Sequence, residues 1–525
     1  GIFWNIFWSI WPRNQLGQKD GLMDFLQGRT AAGDSLRSPF EGCFLQACGL
    51  KNFFQYGLWT MRKKKDPLKC IHHFLFEHAT TQAYFRVPGA GRLLIIRQSE
   101  HVQEVVTNCD DFWRCNPLVV FRSWYTWWIG LDKFVDDHIA ESIFVQLDGE
   151  KHDKLRAIFL DFGRMIADPE TQDALAKNAL TILQGRVRGK HGLFDILQEV
   201  ATRILLEVLV GSSLPAGWTD RRFLDLINRI MEAVFNIQCP FRRDQKDLRY
   251  IFEHFWTNSA ENSLTQHLRR CGCSQEQTKH NLLALMLLGM QSLANGPYWQ
   301  ILRIYTEHGL LEQVRENPQR VWAVIVEELH NHPPSAPILM PYRAKRNTTI
   351  QGQAILEGTI VVISPPWSHA MMGGAPQEST NPAGCPFQRS SSPISSLKTA
   401  VGRCTHPRSY AFGASTRSSC PVKGFNMITM YSVITGFIDL YDMEVHDPQS
   451  LCSMKQAEHM NLHIVNRPCV QLQVTLQERN QNNVTKPCGQ QQRTLQPHKQ
   501  STVRVWLPVL CLSAVALLSL KLKPK

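Results

Sequence analysis

The feature that most constrains the fold is a long helical pattern over residues 275–305. Its stretch 282–290 is so apolar that it predicts a helix buried on nearly all sides. Such a helix needs a large surrounding core, which a chain of 525 residues can supply. Strong 3.6-residue periodicity over residues 172–210 indicates further helices, and short β-branched runs lie on both sides. We therefore expect a mainly helical α+β protein.

Composition and charge limit what this protein can bind. Hydrophobic residues make up 43% of the chain and charged residues 19%, which excludes general disorder. The formal charge of +12 indicates an anionic partner, such as nucleic acid, a membrane surface or an acidic redox protein. No zinc-finger spacing or aromatic RNA-binding pattern accompanies the basic residues, so nucleic acid is not an expected partner.

The fifteen cysteines are spread along the chain. Only Cys271-Gly-Cys273 forms a close pair, and no second pair completes a zinc-binding pattern. This usage favours reduced and mostly buried thiols in a cytosol-facing protein.

The amino-terminal part, residues 1–75, is expected to face a membrane. Trp4, Trp8 and Trp11 recur at helical spacing, and such aromatic residues favour the membrane interface. The alternative is a helix packed on the folded domain.

The carboxyl-terminal part divides into two segments. Residues 476–500 are rich in Gln and Asn and predict a linker. Residues 501–525 form a hydrophobic tail whose uncharged run, 505–520, predicts a short membrane anchor or a helix lying on the membrane. The folded domain is then expected to span residues 76–475.

One segment, residues 409–421, carries a chemical signature. A Phe412-Gly413 turn and small residues are followed by Arg417 and Cys420, and an apolar-periodic segment comes next. Small residues allow the backbone to approach a flat ligand, and Arg417 can pair with a carboxylate of that ligand. A cysteine ahead of a helix has its thiolate stabilised by free N–H groups and the positive helix end. Together these features indicate haem bound through sulfur, and a structural cysteine at the end of a loop is the alternative.

This segment resembles the haem-binding loop of the cytochrome P450 family, whose pattern is Phe-x-x-Gly-x-Arg-x-Cys-x-Gly. Phe412, Gly413, Arg417 and Cys420 match in order. Three departures are Ser415 in the place of the pattern's first glycine, a one-residue delay of Cys420 and a displaced final glycine, which appears at Gly424. The resemblance implies haem as the cofactor and Cys420 as the iron ligand.

Further segments stand in the order that the family has. Glu327 and His330 lie where the family has Glu-x-x-Arg, so His330 replaces the arginine. Upstream, His152 and Arg156 resemble a His-x-x-x-Arg pair in which both residues contact haem propionates. Downstream, Arg343 resembles the arginine that reaches a propionate. Exposed charges without a ligand are the alternative for these three basic residues.

The long helix resembles the oxygen-side helix of the branch that contains sterol hydroxylases, prostacyclin synthase and related fungal enzymes. The resemblance places Asn295 nearest the sixth iron position, with Gly289 and Ala294 leaving room for haem and substrate. Most other branches carry an acid and an alcohol here, and this chain has no such pair. A core helix with a kink at Pro297 is the alternative.

The resemblance implies a cytochrome P450-like fold and an iron-containing monooxygenase that hydroxylates a sterol, a terpenoid or another lipid-like molecule, as in secondary metabolism. It would use O2 and electrons from an NADPH-dependent flavoprotein reductase at the cytosolic face of the endoplasmic reticulum membrane. Two alternatives remain. One is a haem-thiolate isomerase acting on a lipid peroxide, and the other is a degenerate, non-catalytic relative.

Overall fold

The structure is a computed structural model that describes residues 82–87, 91–96, 98–115, 127–145, 149–186, 189–235, 239–331, 340–363, 419–446 and 472–479. The chain divides between Arg479 and Asn480, and all of these residues belong to the first unit. The predicted segment 1–75 and tail 501–525 lie outside the described residues. So do Phe412, Gly413 and Arg417.

The described part is mainly helical with small sheets, which confirms the predicted α+β class. Its helices are α1 Ser99–Thr107, α2 Leu131–His138, α3 Gly149–Ile166, α4 Pro169–Leu180, α5 Leu193–Leu209, α6 Asp220–Phe235, α7 Arg242–Asn258, α8 Leu264–Arg270, α9 Gln275–Thr306, α10 Leu310–Glu316, α11 Arg320–Asn331 and α12 Lys423–Leu440. A 3-10 helix, Thr181–Arg186, follows α4.

The strands form three sheets. They are β1 Gln82–Val87, β2 Gly91–Ile96, β3 Phe112–Arg114, β4 Lys190–Gly192, β5 Met340–Ala344, β6 Thr348–Ile350, β7 Gln353–Ile355, β8 Ile360–Ile363, β9 Tyr441–Val445 and β10 Gln473–Glu478. The largest sheet has the order β1-β2-β8-β5-β3, and in it only β2 and β8 run parallel. The others are β4-β10-β9 and the pair β6-β7.

The long helix α9 is the centre of the main core, as its sequence predicts. No residue of 282–290 is exposed, and α9 packs along α5 and against α12. The Ser274 hydroxyl begins the helix by accepting the Gln277 N–H at 3.1 Å, which satisfies one free donor of the first turn. Pro297 lies within α9 without ending it. The packing of α9 is therefore that of a buried core helix.

Other predicted elements are also present. Two runs, residues 83–89 and 92–96, predict strands joined by a glycine-containing turn, and they form β1 and β2. Residues 100–107 predict a helix, which is α1. β10 continues to Glu478, three residues beyond the predicted domain end at residue 475, and the Leu476 side chain is fully buried. Among the described residues, no helix is both long enough and apolar enough to cross a bilayer.

Candidate functional site

Cys420 lies directly ahead of α12, as the sequence predicts. The apolar-periodic residues that follow it form this helix, and four of them are buried: Phe425, Ile428, Ile434 and Phe437. The Cys420 sulfur accepts a hydrogen bond from the Val422 N–H. The Asn426 side-chain amide, one turn into the helix, also points at this sulfur, at 4.0 Å. The thiol thus faces two N–H donors from the start of one helix.

The electrostatics of Cys420 differ from the sequence expectation. Burial raises the pKa of its thiol above the usual range, although the Val422 N–H, Arg156 and Lys423 each oppose that shift. The positive helix end and the nearby cations therefore do not compensate for desolvation. A further cation beside the sulfur, such as a coordinated metal ion, would stabilise the thiolate.

Arg156 of α3 reaches the residue that precedes the cysteine. Its Nη1 donates to the Ser419 carbonyl oxygen at 2.6 Å, and its Nη2 lies 3.2 Å from the Ser419 hydroxyl oxygen. Burial, reinforced by the charge of Arg114, lowers the pKa of Arg156. The predicted haem-contacting residue Arg156 is therefore brought to the predicted iron ligand Cys420.

His152 lies one turn before Arg156 on α3 and is 2% exposed. Its Nδ1 lies 3.0 Å from a carboxylate oxygen of Asp153. Burial lowers the pKa of His152 despite this carboxylate. The imidazole is thus mainly neutral at pH 7, so it favours hydrogen bonding over ion pairing with an anionic group.

Close packing fixes α3 beside the cysteine. Gly163 of α3 faces the residues that follow Cys420, and a Cβ atom at this position would lie 3.2 Å from the Pro421 carbonyl oxygen. It would also lie 3.6 Å from the Val422 Cα. A side chain here would press against backbone atoms, so glycine allows this close approach.

Arg343 lies on β5, directly opposite Trp113 of β3. Its guanidinium carbon is 6.0 Å from the centre of the Trp113 ring, and its Nε is buried without a hydrogen-bond partner among the described residues. The next residue of β3, Arg114, interacts electrostatically with His152 and Arg156. Successive side chains of a strand point to opposite faces, so Arg343 and Trp113 share one face of the sheet and Arg114 projects from the other. The structure therefore does not bring Arg343 to the basic residues of α3.

On α9, Ala294 and Asn295 are fully buried. Within the described part of the chain, neither side-chain amide atom of Asn295 has a hydrogen-bond partner. The neighbouring Gly296 lies against α12, where an added Cβ would be 2.7 Å from the Met430 Cε. This contact places Asn295 beside the helix that Cys420 precedes.

Gly289 lies elsewhere on the same helix. A Cβ atom added at Gly289 would point at Leu205 of α5 and would lie 3.6 Å from both of its methyl carbons. The structure therefore places Gly289 in the α5–α9 packing and does not bring it to Cys420.

The predicted Glu327–His330 pair has a different electrostatic partner. Arg303 of α9 binds Glu327 at 2.8 Å and Glu328 at 3.0 Å. Burial by itself would lower the pKa of the Arg303 guanidinium. The carboxylates of Glu307, Glu327 and Glu328 have the larger combined effect, so the pKa is raised. His330 is buried at the end of α11. Glu327 and Glu328 thus share the guanidinium of Arg303 as a cation.

Sequence reasoning missed four residues of this region: Arg114, Arg303, Lys423 and Asn426. Each is a common polar residue without a motif around it. Only Lys423, three residues after Cys420, and Asn426, one turn further along α12, are close enough to Cys420 in the chain for local spacing to indicate a contact. Arg114 and Arg303 approach the site from separate elements, and local spacing carries no signal for them.

Comparison with known proteins adds no assignment. Neither protein-family models nor curated proteins show a match to this chain. Among the described residues, no group of three or more His, Cys, Asp or Glu side chains is arranged to hold a metal ion. A thiolate-ligated haem iron needs only one protein sulfur, so this finding concerns sites in which several side chains hold a metal ion.

Proposed function

We propose that this chain is a haem-thiolate monooxygenase with a cytochrome P450-like fold, in which Cys420 is the iron ligand. One observation carries the proposal: Arg156 of α3 binds the residue beside Cys420, and Asn295 of α9 lies beside the helix that Cys420 precedes. The sequence resemblance assigns haem-side roles to all three residues. Arg156 supports this assignment by its contact beside Cys420, and the α9 turn that carries Asn295 supports it by packing against the middle of α12.

The residues fit a haem bound through sulfur. Cys420 offers a partly exposed thiol with two N–H donors that stabilise negative charge on the sulfur. The Asn295 amide is buried without a hydrogen-bond partner among the described residues, and such groups in proteins usually serve a ligand or a water molecule. When bound, thiolate-ligated haem supplies the activation of dioxygen.

The protein's own groups would bind and orient the cofactor. Arg156, Arg343 and His152 are the residues assigned to the propionates. Arg114 adds positive charge near His152 and Arg156, and Lys423 adds it near Cys420. Arg343 keeps an unused Nε donor for such a carboxylate. The apolar core around α9 would exclude water and hold a hydrophobic substrate, such as a sterol or a terpenoid.

The proposed partners follow from the reaction and the charge. A monooxygenase of this type takes electrons from an NADPH-dependent flavoprotein reductase, and an acidic reductase face would complement the +12 charge of this chain. A lipid-like substrate and such a reductase both place the protein on the cytosolic face of the endoplasmic reticulum membrane.

The reduced protein's carbon monoxide difference spectrum tests the ligand. We expect the full chain, purified with haem, to show the long-wavelength Soret band of thiolate-ligated haem. Cys420→Ser should lose that band because oxygen donates less charge to iron than thiolate sulfur. Cys109→Ser is the matched control, since Cys109 is exposed.

Circular dichroism of both variants establishes that they fold alike. A long-wavelength band that survives in folded Cys420→Ser would overturn the assignment. Absence of any haem absorbance from the folded full chain would show a non-catalytic relative.

A second candidate function is isomerisation of a lipid peroxide without a reductase. The residues of α9 around Asn295 favour it. The Ser292 hydroxyl donates to the Leu288 carbonyl oxygen, and Asn295 carries an amide, which does not deliver protons as a carboxylic acid does. An acid–alcohol pair for proton delivery is absent from this sequence stretch. Substrate-dependent NADPH use with added reductase would support the monooxygenase, whereas conversion of a lipid hydroperoxide without reductase would support the isomerase.

A further inference from the structure

A second reactive cluster lies at the end of α8, among residues that the proposed haem site does not use. Cys271 and Cys273 flank Gly272, which has a φ of +78°. The Cys273 N–H donates to the Leu268 carbonyl and the Gly272 N–H to the Arg269 carbonyl, each at 3.0 Å. This double hydrogen bond ends the helix with a glycine in the left-handed region. The turn holds the two cysteines next to each other.

Chain geometry allows these cysteines to be joined. Residues two apart cannot separate by more than about 7 Å, and a disulfide spans Cα atoms about 4.4–6.8 Å apart. Gly272 turns the chain, which shortens that separation, and it carries no side chain to obstruct the sulfurs.

A histidine contacts the first cysteine. The Cys271 sulfur lies 3.9 Å from the His267 Nε2, one helical turn earlier. The same nitrogen lies 3.6 Å from a carboxylate oxygen of Asp161 on α3. His267 is 8% exposed, and its ring lies 5.5 Å from that of Phe162, so the imidazole is held in place. A proton taken from Cys271 onto Nε2 would therefore point at a carboxylate.

The two thiols differ in accessibility. Cys271 is partly exposed, whereas Cys273 is 8% exposed. Burial, reinforced by the neighbouring Cys271, raises the pKa of the Cys273 thiol, and Lys154 opposes part of this shift. An exposed thiol beside a base and a covered second thiol are the two parts of a site that attacks a disulfide and then resolves it.

We infer that Cys271, Cys273 and His267 form a thiol–disulfide exchange site for a small disulfide such as glutathione disulfide. His267 accepts the Cys271 proton, and the Cys271 sulfur attacks one sulfur of glutathione disulfide. The glutathione S–S bond breaks, a Cys271–glutathione bond forms, and the leaving glutathione thiolate takes up that proton.

The second step closes the protein disulfide. Cys273 gives its proton to His267 and attacks the Cys271 sulfur, so that the bond to glutathione breaks and the second glutathione leaves with the proton. Overall, the two cysteines lose two electrons and two protons, and one glutathione disulfide is reduced to two glutathione molecules.

The contrasting interpretation is purely structural. The residue after the left-handed glycine often makes an apolar contact with the preceding helix turn, and the buried Cys273 fits that description. That role gives no reason for a histidine at the sulfur of Cys271, and it predicts no exchange chemistry.

Mass spectrometry of the reduced full chain after incubation with glutathione disulfide distinguishes the exchange site from the purely structural interpretation. After acid quenching, alkylation and digestion, we expect the peptide with Cys271 and Cys273 to be two hydrogens lighter and unalkylated. Cys273→Ser should instead accumulate glutathione on Cys271. His267→Gln should slow loss of the Cys271 thiol about tenfold, because the proton acceptor is removed.

Two substitutions serve as matched controls, His254→Gln and Cys109→Ser, and both should leave the rate unchanged. The test on the unsubstituted chain, loss of two hydrogens from the peptide with Cys271 and Cys273, does not depend on whether any variant folds. Retention of glutathione on Cys271 in that chain, or full alkylation of both thiols after long exposure, would overturn the site. If His267→Gln lost the Cys271 thiol at an unchanged rate, His267 would have no role in the exchange site.

Discussion

At the scale of single residues, burial determines the protonation of several side chains here. Cys420 shows this most clearly, because its position ahead of a helix and the N–H group that stabilises its thiolate are both as predicted, yet burial outweighs that stabilisation and raises the pKa of the thiol. Local sequence shows which N–H groups and cations lie nearby along the chain. Desolvation depends on everything that packs around the group, which a local pattern does not contain.

His138, near the end of α2, provides a measurable case. Burial, followed by the charge of Arg249, lowers its pKa to about 4, and its Nε2 has no hydrogen-bond partner among the described residues. Between pH 6.5 and 4 the unfolded chain binds a proton that the folded protein does not. The free energy of unfolding should therefore fall by about 1–3 kcal/mol as the pH falls through this range.

Urea unfolding at a series of pH values measures this effect. His138→Gln should reduce the slope between pH 6.5 and 4, whereas His308→Gln, at an exposed position, should leave it unchanged. An equal slope in the two variants would show that His138 titrates alike in both states.

At the scale of elements, the ion pairs of Arg303 join α9 to α11. Glu328 is 5% exposed and depends on this guanidinium, which also binds Glu327 and Glu307. Arg303→Met keeps the length of the side chain but leaves a buried carboxylate without its cation. We expect a loss of about 3 kcal/mol in the free energy of unfolding.

The exposed pair between Arg203 and Asp220, at 3.3 Å, provides the matched control. Arg203→Met should cost less than about 1 kcal/mol, because water screens an exposed ion pair. Chemical denaturation of both variants gives the comparison. Equal losses would mean that Glu328 finds another partner or becomes hydrated.

The helices themselves follow from local patterns. The apolar period predicts α9 and α12, and the bounds of α9 differ from the prediction by one residue. The period over residues 172–210 did not show that β4 and a 3-10 helix separate α4 from α5. Periodicity detects an amphipathic face, but it does not show where a strand pairs with β10, 280 residues later along the chain.

At the scale of the whole molecule, β10 connects distant parts of the chain. It pairs with both β4 and β9, and the Leu472 carbonyl before it accepts the Leu193 N–H at 3.0 Å. Val474 and Leu476 are fully buried. The carboxyl-terminal boundary of the folded unit therefore lies after this strand.

Two truncations test that boundary. A chain that ends at Arg479 should keep the unfolding free energy of the full chain, since the division of the chain falls at this position. A chain that ends at residue 471 should lose about 4 kcal/mol or more, because three large apolar side chains lose their burial. Urea denaturation measures both, and equal stabilities would show that β10 contributes nothing.

The sequence by itself determined the helical class, the long buried helix, the β1–β2 pair and the position of Cys420 ahead of a helix. All of these depend on residues close together in the chain, whose spacing reports a shared face or a helix end. Only the tertiary structure decided that Arg303 pairs with Glu327 and Glu328, that Arg114 approaches Arg156, and that Gly289 faces α5. These neighbours meet through packing of distant elements, and the resulting burial and charge exist only in the folded chain.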